Sequence, residues 1–203
     1  MTADYGVRTH TAIARAAVEG GARVIQYREK GASSREMLQT ALELRELTAA
    51  SGAIFIVNDR IDIAQAAYAD GVHLGQDDMP YSVARGILGD GYIIGISATD
   101  YREAVEAARE GADYIGLGPI YPTPSKDDAA PAIGIEGLSA VVQAVDVPVV
   151  AIGGLTTDNI EEVIRAGADA AAVISAIAAA GDMADATRLL NGMITRCKSE
   201  YKI

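Results

Sequence analysis

Large aromatic side chains are scarce in this chain. Its 203 residues include no tryptophan, one phenylalanine and one cysteine, although half of them are hydrophobic. Small aliphatic side chains such as valine, isoleucine and alanine must therefore build the core. Because Cys197 is the single cysteine, an intrachain disulfide is excluded, and nothing in the sequence demands an oxidising compartment.

Long hydrophobic runs and excess positive charge are also lacking. No apolar run reaches about 18 residues and the N-terminus has no signal-like apolar stretch, which predicts a soluble cytoplasmic protein. The 17 basic residues are outnumbered by 28 acidic ones, giving a formal net charge of −11. This balance argues against general binding to nucleic acid or to an anionic membrane. It leaves room for a small anionic ligand held by a local cluster of Arg and Lys.

One pattern does recur along the chain. A helix-like stretch ends in glycine and an apolar run follows at once, near Gly21, Gly71, Gly111 and Gly167. Glycine relieves strain where a helix ends in the left-handed conformation. An apolar run directly after it is typical of a parallel strand buried on both faces.

The starts of helices are equally visible, because capping-box spacings begin at Ser33, Asp100 and Asp158. Each follows an apolar run by a few residues, so the chain alternates strand, loop and helix, which predicts a parallel sheet. Strands are predicted near residues 22–28, 53–57, 71–75, 92–96, 113–118, 148–152 and 170–174. Helices are predicted near residues 9–20, 34–50, 61–68, 80–88, 100–110, 136–144, 158–166 and 182–197.

This order predicts a (β/α)8 TIM-type barrel formed as a single domain by residues 1–203. The chain is short for that fold, which usually needs roughly 250 residues. Residues 1–8 look too short and polar for a barrel strand, so the first strand is predicted to be truncated or missing. The seven remaining strands would leave an open seam between strands 22–28 and 170–174. Unpaired edges favour association, which leaves a homo-oligomer open.

In parallel barrels the functional loops follow the strands. After the first predicted strand, Gln26, Arg28 and Lys30 could project one way by alternation. They could form an anion grip, because arginine offers a rigid fork and lysine a mobile point charge. A solvated strand end with a Glu29–Lys30 pair is the alternative.

Asp59 and Asp78 follow two neighbouring predicted strands. Two carboxylates this close repel each other unless a cation separates them, and Mg²⁺ would do so while also holding phosphate oxygens. Ordinary loop acids that cap the next helix are the alternative. His73 lies within a strand, where a packed, hydrogen-bonded histidine is more common than a catalytic base, and His10 is expected to face solvent.

The longest irregular stretch, residues 118–128, follows the fifth predicted strand and contains three prolines. Thr123, Ser125 and Lys126 offer two hydroxyls and a cation there. Long ordered loops in compact domains are usually functional, and a flexible tether is the alternative.

The last two strand ends favour a phosphate site. Gly153 and Gly154 allow close backbone approach after the sixth strand, and Ser175 follows the seventh. The corresponding loops commonly bind phosphate in these barrels through backbone N–H groups and a helix N-terminus. A tight turn is the alternative. Together the strand ends predict two anion sites, a Mg²⁺-assisted diphosphate site and a monophosphate site.

At these residues the sequence resembles the thiamine phosphate synthase family, from about residue 5 to residue 197. The matching strings are QYREK (26–30), NDR (58–60), GVHLGQDD (71–78), GIS (95–97), ADYIGLGP (112–119), AIGG (151–154) and VISAI (173–177). Several are weak alone, but their order and spacing are specific.

The resemblance implies a magnesium-dependent transferase that joins a pyrimidine methyl diphosphate to a (carboxy)thiazole phosphate by a dissociative reaction. It implies that Arg28, Ser97 and Lys126 serve catalysis and that Asp59 and Asp78 ligate Mg²⁺. The implied pyrimidine diphosphate ligands are Gln26, Tyr27, Arg28, Glu29, Lys30, Asn58, Ser97 and Lys126. The implied thiazole phosphate ligands are Thr123, Pro124, Ser125, Gly154, Ile174 and Ser175, the last ones largely through their backbone.

Two departures from the family pattern stand out. Its Thr-x-Thr pair is Thr123-Pro124-Ser125 here, which keeps both hydroxyls, and its first apolar strand is lacking, with residues 1–4 resembling the tail of that strand. A form extended upstream by roughly 6–10 residues, about one strand length, is expected to be more stable and less prone to associate.

Two other functions remain open. A thiazole tautomerase-like isomerase would use the same barrel, but it would not need the full diphosphate grip. A non-catalytic binding or regulatory paralogue is the other alternative, and the lacking strand is its support.

Overall fold

The computed structural model describes residues 1–2, 8–123 and 131–201. Within them, seven strands form one parallel sheet in sequence order. The strands are β1 Val24–Tyr27, β2 Ile54–Asn58, β3 Gly71–Leu74, β4 Ile93–Ala98, β5 Tyr114–Leu117, β6 Val149–Ile152 and β7 Ala170–Ala172. Each predicted strand is confirmed to within a few residues.

Helices alternate with the strands as predicted. They are α1 His10–Glu19, α2 Ser34–Ser51, α3 Ile61–Ala66, α4 Tyr81–Leu88, α5 Tyr101–Glu110, α6 Gly134–Ala144, α7 Ile160–Arg165, α8 Ser175–Ala178 and α9 Met183–Tyr201. The short α8 was not predicted, because four residues are too few to show a helical period. In the part of the chain described here, no helix is both long and apolar enough to cross a membrane.

The core is built from aliphatic side chains, as the composition predicts. All four residues of β3 are buried, and most fully buried large side chains are leucine or isoleucine, with Tyr27 and Phe55 as the aromatic members. The strands are all parallel, so their carboxyl ends lie at one rim of the sheet. For example, Asn58 at the end of β2 pairs with His73 near the end of β3. This rim is where the candidate site residues were expected.

Met1 and Thr2 lie between the two edge strands of the sheet. The Met1 backbone N donates to the Val173 carbonyl oxygen at 3.2 Å, just after β7. Thr2 pairs in parallel with Tyr27 of β1, and its carbonyl oxygen accepts a hydrogen bond from the Arg28 N–H at 3.3 Å. The expectation of an open seam is therefore wrong at this rim, where Met1 and Thr2 take the position of a strand's carboxyl end. The sheet curls into the predicted barrel fold.

Predicted capping signals hold in part. Ser33 forms a complete capping box at the start of α2, and the Asp100 side chain caps α5. The prediction for Asp158 is wrong, because α7 begins after Asn159. The Asn159 Oδ1 instead accepts from the Thr156 N–H at 2.9 Å and closes the preceding turn.

Predicted helix-ending glycines also hold in part. Gly21, Gly111 and Gly167 have positive φ angles of 93°, 102° and 103°. Gly71 does not end a helix; it lies within β3, where a Cβ would overlap the Ile93 carbonyl oxygen and stand 2.7 Å from the Ile93 Cβ. Glycine is required there by the close approach of two strands, which sequence periodicity cannot reveal.

We predict that Gly71→Ala destabilises the protein by about 3 kcal/mol, because the clash is with backbone that cannot rotate away. Gly86→Ala is the matched control: Gly86 lies within α4 with nothing near its missing side chain. That change should stabilise the protein by about 0.5–1 kcal/mol through helix propensity. Urea unfolding followed by circular dichroism measures both. Equal midpoints for the two variants would contradict the packing argument.

Candidate active site

A cavity of about 270 Å³ opens at the carboxyl ends of the strands. Parallel barrels bind their ligands at this rim. Residues following every strand line it, together with Met1: Arg28, Lys30, Asn58, Asp59, Gly75, Gln76, Asp77, Asp78, Ser97, Thr99, Gly118, Pro119, Thr123, Ile152, Gly153, Gly154, Leu155, Ala172, Val173, Ile174 and Ser175. The fold thus brings most of the predicted site residues into one cavity.

Positive charge enters the cavity from the loop after β1. Arg28 and Lys30 both line it, and both favour the charged form of Asp59 at the end of β2. Asn58 adds a largely buried amide beside them. The two cations and the amide form a surface suited to phosphate oxygens.

Three residues implied as pyrimidine diphosphate ligands do not line the cavity. Tyr27 is 1% exposed and belongs to the core. Gln26 forms a side-chain hydrogen bond with Tyr114 inside the barrel. The Glu29 carboxylate bonds to His10 and to backbone N–H groups of its own loop. Sequence alternation explains the outcome for Glu29, since it points away from the side taken by its two neighbours.

Asp59 is held in an unusual backbone conformation. Its φ angle is 62°, and the Arg60 N–H donates to the Asn58 carbonyl oxygen at 2.8 Å across it. This closes a three-residue turn that is rare outside glycine and costs on the order of 1–3 kcal/mol. The Asp59 N–H donates to the His73 carbonyl oxygen at 2.8 Å, which anchors the turn to β3. The strained turn places the carboxylate at the cavity.

Asp59 and Asp78 form a carboxylate pair. Burial, followed by the hydrogen bond with Asp78 and its charge, raises the pKa of Asp59 to about 6, against the opposing effect of Lys30 and Arg28. The Asp78 Oδ2 accepts from the Gly75 N–H at 2.7 Å, which fixes the second carboxylate. A buried carboxylate whose ionisation is opposed by a neighbouring carboxylate is suited to binding a cation shared with that neighbour.

Asp59 and Asp78 both line the cavity and could together hold a cation. Across the ranges that the structure describes, no group of three or more His, Cys, Asp or Glu residues is placed to hold a metal ion. Magnesium is usually held by one or two carboxylates, with water and substrate phosphate completing its octahedron. Asp59 and Asp78 supply that number.

Ser97 is fixed by a buried hydrogen-bond chain. Its Oγ lies 2.8 Å from the His73 Nε2, and the His73 Nδ1 lies 2.9 Å from the Tyr114 hydroxyl oxygen. The Ser97 carbonyl oxygen accepts from the Gln76 Nε2 at 2.7 Å. His73 is 8% exposed, so the prediction of a packed, hydrogen-bonded histidine is confirmed. The chain orients the serine hydroxyl at the rim.

Two strand glycines make room for this chain. A Cβ on Gly95 would overlap the Tyr114 ring, and one on Gly116 would stand 2.7 Å from the His73 Cε1. Burial raises the pKa of the Tyr114 hydroxyl far above its ordinary value, so this group stays neutral. The interior wall of β3–β5 is therefore polar at its centre and glycine-lined around it.

Thr123, Gly154, Ile174 and Ser175 line the side of the cavity formed by the later loops, as expected for the thiazole phosphate site. Ser175 opens α8. The other residues predicted there and in the adjoining loop, Pro124, Ser125 and Lys126, lie outside the described residues.

The backbone at Gly154 also meets the loop after β5. Its φ angle is 67°, and a Cβ there would stand 2.7 Å from the Tyr121 Cβ and 2.9 Å from the Pro122 carbonyl oxygen. The missing side chain therefore makes room for the loop after β5.

Arg8 binds carbonyl groups at the C-terminal end of α8. Its Nη1 donates to the carbonyl oxygens of Ala178 and Ala180, each at 2.6 Å. Cations at a helix C-terminus satisfy carbonyl groups that have no partner within the helix. The helix whose first residue lines the cavity is thereby tied to the segment before α1, a contact that no local sequence signal predicts.

Gln76, Thr99 and Pro119 also line the cavity but were not predicted as site residues. Gln76 lies in the same string as Asp78, and Thr99 lies two positions after Ser97, so alternation and adjacency could have identified both. Pro119 begins the loop after β5. Each residue follows a strand, which is the signal that located the others.

The mouth of this parallel barrel holds two cations, a carboxylate pair and two adjacent glycines. These groups match phosphate oxygens and an accompanying cation, so the protein falls in the class of barrel enzymes that act on phosphorylated small molecules.

Comparison with known proteins narrows this class to a family. A profile described as thiamine monophosphate synthase matches residues 2–177. The thiamine-phosphate synthase of Chloroflexus aurantiacus is 52% identical over 188 residues, 93% of this chain and 87% of that protein. That of Methanoculleus marisnigri is 51% identical over 193 residues, 95% and 92% of the two chains. The chain therefore belongs to the thiamine monophosphate synthase family.

A solved structure supports the same assignment. Thiamine phosphate pyrophosphorylase from Pyrococcus furiosus is 43% identical and superimposes with a TM-score of 0.90, covering 97% of this chain and 94% of that one. At this level of identity and coverage the barrel and its order of elements are shared throughout.

We predict that Asp59→Asn raises the melting temperature of the metal-free protein at about pH 8. The pKa of Asp59 is raised from 3.8 to about 6, so the folded state binds more protons than the unfolded state between these values. Stability is therefore lost as pH rises through that window and stays reduced above it. The gain from asparagine should shrink at about pH 5, where Asp59 is protonated.

Asp62→Asn is the matched control. Its carboxylate pairs with Arg60, which holds the pKa of Asp62 below its usual value. This exposed change should leave stability equal or slightly lower at both pH values. Calorimetry with a chelator present measures all three proteins, and a lower melting temperature for Asp59→Asn at both pH values would contradict the raised pKa.

Proposed function

We propose that this protein joins 4-amino-2-methyl-5-(diphosphooxymethyl)pyrimidine to a (carboxy)thiazole phosphate, forming thiamine phosphate and releasing diphosphate, together with CO2 when the thiazole carries the carboxyl group. The observation that carries the proposal is a single cavity lined both by Arg28, Lys30 and the Asp59–Asp78 pair and by the loops after β6 and β7. We assign the first group to the diphosphate and the loops to the thiazole phosphate. The names of the relatives described above agree with this reaction.

In the proposed reaction the bond between the pyrimidine methylene carbon and the diphosphate oxygen breaks first. The electron pair leaves with diphosphate, and the remaining cation is stabilised by the pyrimidine ring. The lone pair of the thiazole nitrogen then forms the new carbon–nitrogen bond, so no proton need be removed at the carbon centre. Arg28 and Lys30 stabilise the charge that builds on the leaving group.

Positioning completes the proposed mechanism. Ser97, oriented by His73, holds the pyrimidine diphosphate, and the loops around Ser175 hold the thiazole phosphate with its nitrogen facing the methylene carbon. Holding two reactants in one orientation removes much of the entropic barrier.

We propose Mg²⁺ as the cofactor, held by Asp59 and Asp78. When bound, it would offset negative charge on the diphosphate. The number of carboxylates, the raised pKa of Asp59 and the adjacent cations support this assignment.

The proposal also places the protein in the cytoplasm, acting on small molecules without nucleic acid or membrane partners. The formal net charge of −11 supports small-molecule partners over polyanions. The buried, unpaired Cys197 agrees with a reducing compartment. Self-association is left open by these observations.

Incubation with both substrates and Mg²⁺ tests the function. The unaltered protein should release diphosphate only when the thiazole phosphate is also present, and Asp59→Asn should lose most of this activity while remaining folded. Conversion of the thiazole alone would identify the isomerase alternative. Binding without turnover would identify the non-catalytic one, and near-normal turnover by Asp59→Asn would contradict the metal assignment.

We predict that Lys126→Ala lowers kcat more than it raises the KM for the thiazole phosphate. The residue is assigned by family resemblance to the departing diphosphate, and loss of one such charge-assisted contact costs about 2–4 kcal/mol in the transition state. Steady-state kinetics with each substrate varied in turn separates the two effects. A change confined to the thiazole phosphate KM would assign Lys126 to the other site.

A further inference from the structure

We propose that His10 and Glu29 are positioning residues that hold the loop after β1 so that Arg28 and Lys30 face the cavity. The inference deepens the proposed function and rests on it, because it concerns the diphosphate region of the same site. Neither residue lines the cavity, so neither is assigned a contact with substrate.

Glu29 lies between the two cations in sequence, yet its carboxylate is turned into the protein. Its Oε1 accepts from the Gly31 N–H at 2.6 Å and from the Ala32 N–H at 3.2 Å. Its Oε2 lies 3.0 Å from the His10 Nε2. Arg28 and Lys30 on either side of it line the cavity, so fixing the Glu29 carboxylate away from the cavity holds the loop that carries the two cations.

His10 connects this loop to the segment that spans the seam. Its Nδ1 lies 3.0 Å from the Thr2 Oγ1, while Thr2 is paired with Tyr27 of β1. The His10 ring meets the Tyr27 ring edge-on, with centroids 4.8 Å apart. The His10 side chain is only 12% exposed, so the expectation that it faces solvent is wrong. The imidazole is instead fixed by contacts to three separate parts of the chain.

The arrangement also keeps the negative charge of Glu29 away from the cavity. The Gly31 N–H, followed by the His10 and Ala32 donors, keeps the pKa of Glu29 below its ordinary value, so the side chain remains an anion. An anion facing the cavity would oppose the two cations and repel diphosphate. Donors within the protein hold this charge away from the ligand, which assigns Glu29 a role different from the direct binding implied by family resemblance.

The test compares His10→Leu, His10→Gln, Glu29→Ala and the His10→Leu/Glu29→Ala double variant. Each is assayed for both KM values, for kcat and for the Kd of inorganic diphosphate with Mg²⁺ by calorimetry. We expect His10→Leu and Glu29→Ala each to raise the pyrimidine diphosphate KM and the diphosphate Kd about tenfold, as loss of ligand-orienting partners does at other sites. The thiazole phosphate KM should stay unchanged, and His10→Gln, which keeps a donor, should recover much of the loss.

The double variant separates positioning from two independent roles. If His10 acts through Glu29, the double variant should be no weaker than Glu29→Ala alone, because coupled residues are not additive. Thr11→Ala is the matched control, since it removes an exposed hydrogen bond from α1 to Glu43 on α2 and leaves the contacts of His10 and Glu29 in place. It should leave both KM values and the diphosphate Kd unchanged.

Several outcomes would overturn the inference. Additive effects, or an equal rise in both KM values, would show a general structural defect or separate contacts. Loss from Glu29→Ala with none from His10→Leu or His10→Gln would return Glu29 to direct substrate binding. These outcomes leave the proposed function intact as long as the unaltered protein turns over. Absence of both turnover and diphosphate binding in the unaltered protein would overturn the proposed function and this inference together.

Discussion

Parallel pairing of the strands in register is the constraint on which the rest of the structure depends. Because each strand runs the same way, seven carboxyl ends meet at one rim, and residues distant in sequence face one cavity. Parallel strands buried on both faces need apolar side chains of modest size, which the composition supplies. Glycine takes the place of these apolar side chains where two strands, or a strand and an aromatic ring, approach most closely, as at Gly71 and Gly95.

Carboxylates and cations at the rim have opposite effects on the ionisation of Asp59. Burial and Asp78 disfavour the charged form of Asp59, while Lys30 and Arg28 favour it. Groups of both signs therefore line the same small cavity. Such a balance leaves both signs available to a ligand that itself combines phosphate with a divalent cation. Glu29 is kept out of this balance by donors elsewhere in its loop. The net negative charge of the chain therefore says little about the sign of its binding site.

The sequence alone predicted what depends on neighbours in the chain. Strands, most helices and the rim positions of Asp59, Ser97 and Ser175 follow from periodicity and from the rule that loops after strands carry function. Contacts between distant residues were not predictable. Met1 reaches Val173 only because the sheet curls, and His10 reaches Glu29 only because α1 packs beside the end of β1. Local rules also failed where tertiary packing overrode them, as at Gly71, whose environment is set by the neighbouring strand and not by the helix before it.

The glycine-lined wall of β3–β5 has a consequence for how such a barrel can change. Substituents at Gly95 and Gly116 meet Tyr114 and His73, and a substituent at Gly118 would meet Ile152. No single mutation at these positions can enlarge a side chain without displacing a ring or a backbone carbonyl. Sequence changes that alter substrate choice must therefore occur at positions other than these glycines. A library intended to alter ligand choice would place its diversity in the loops that follow the strands, where side chains can vary without any strand having to move.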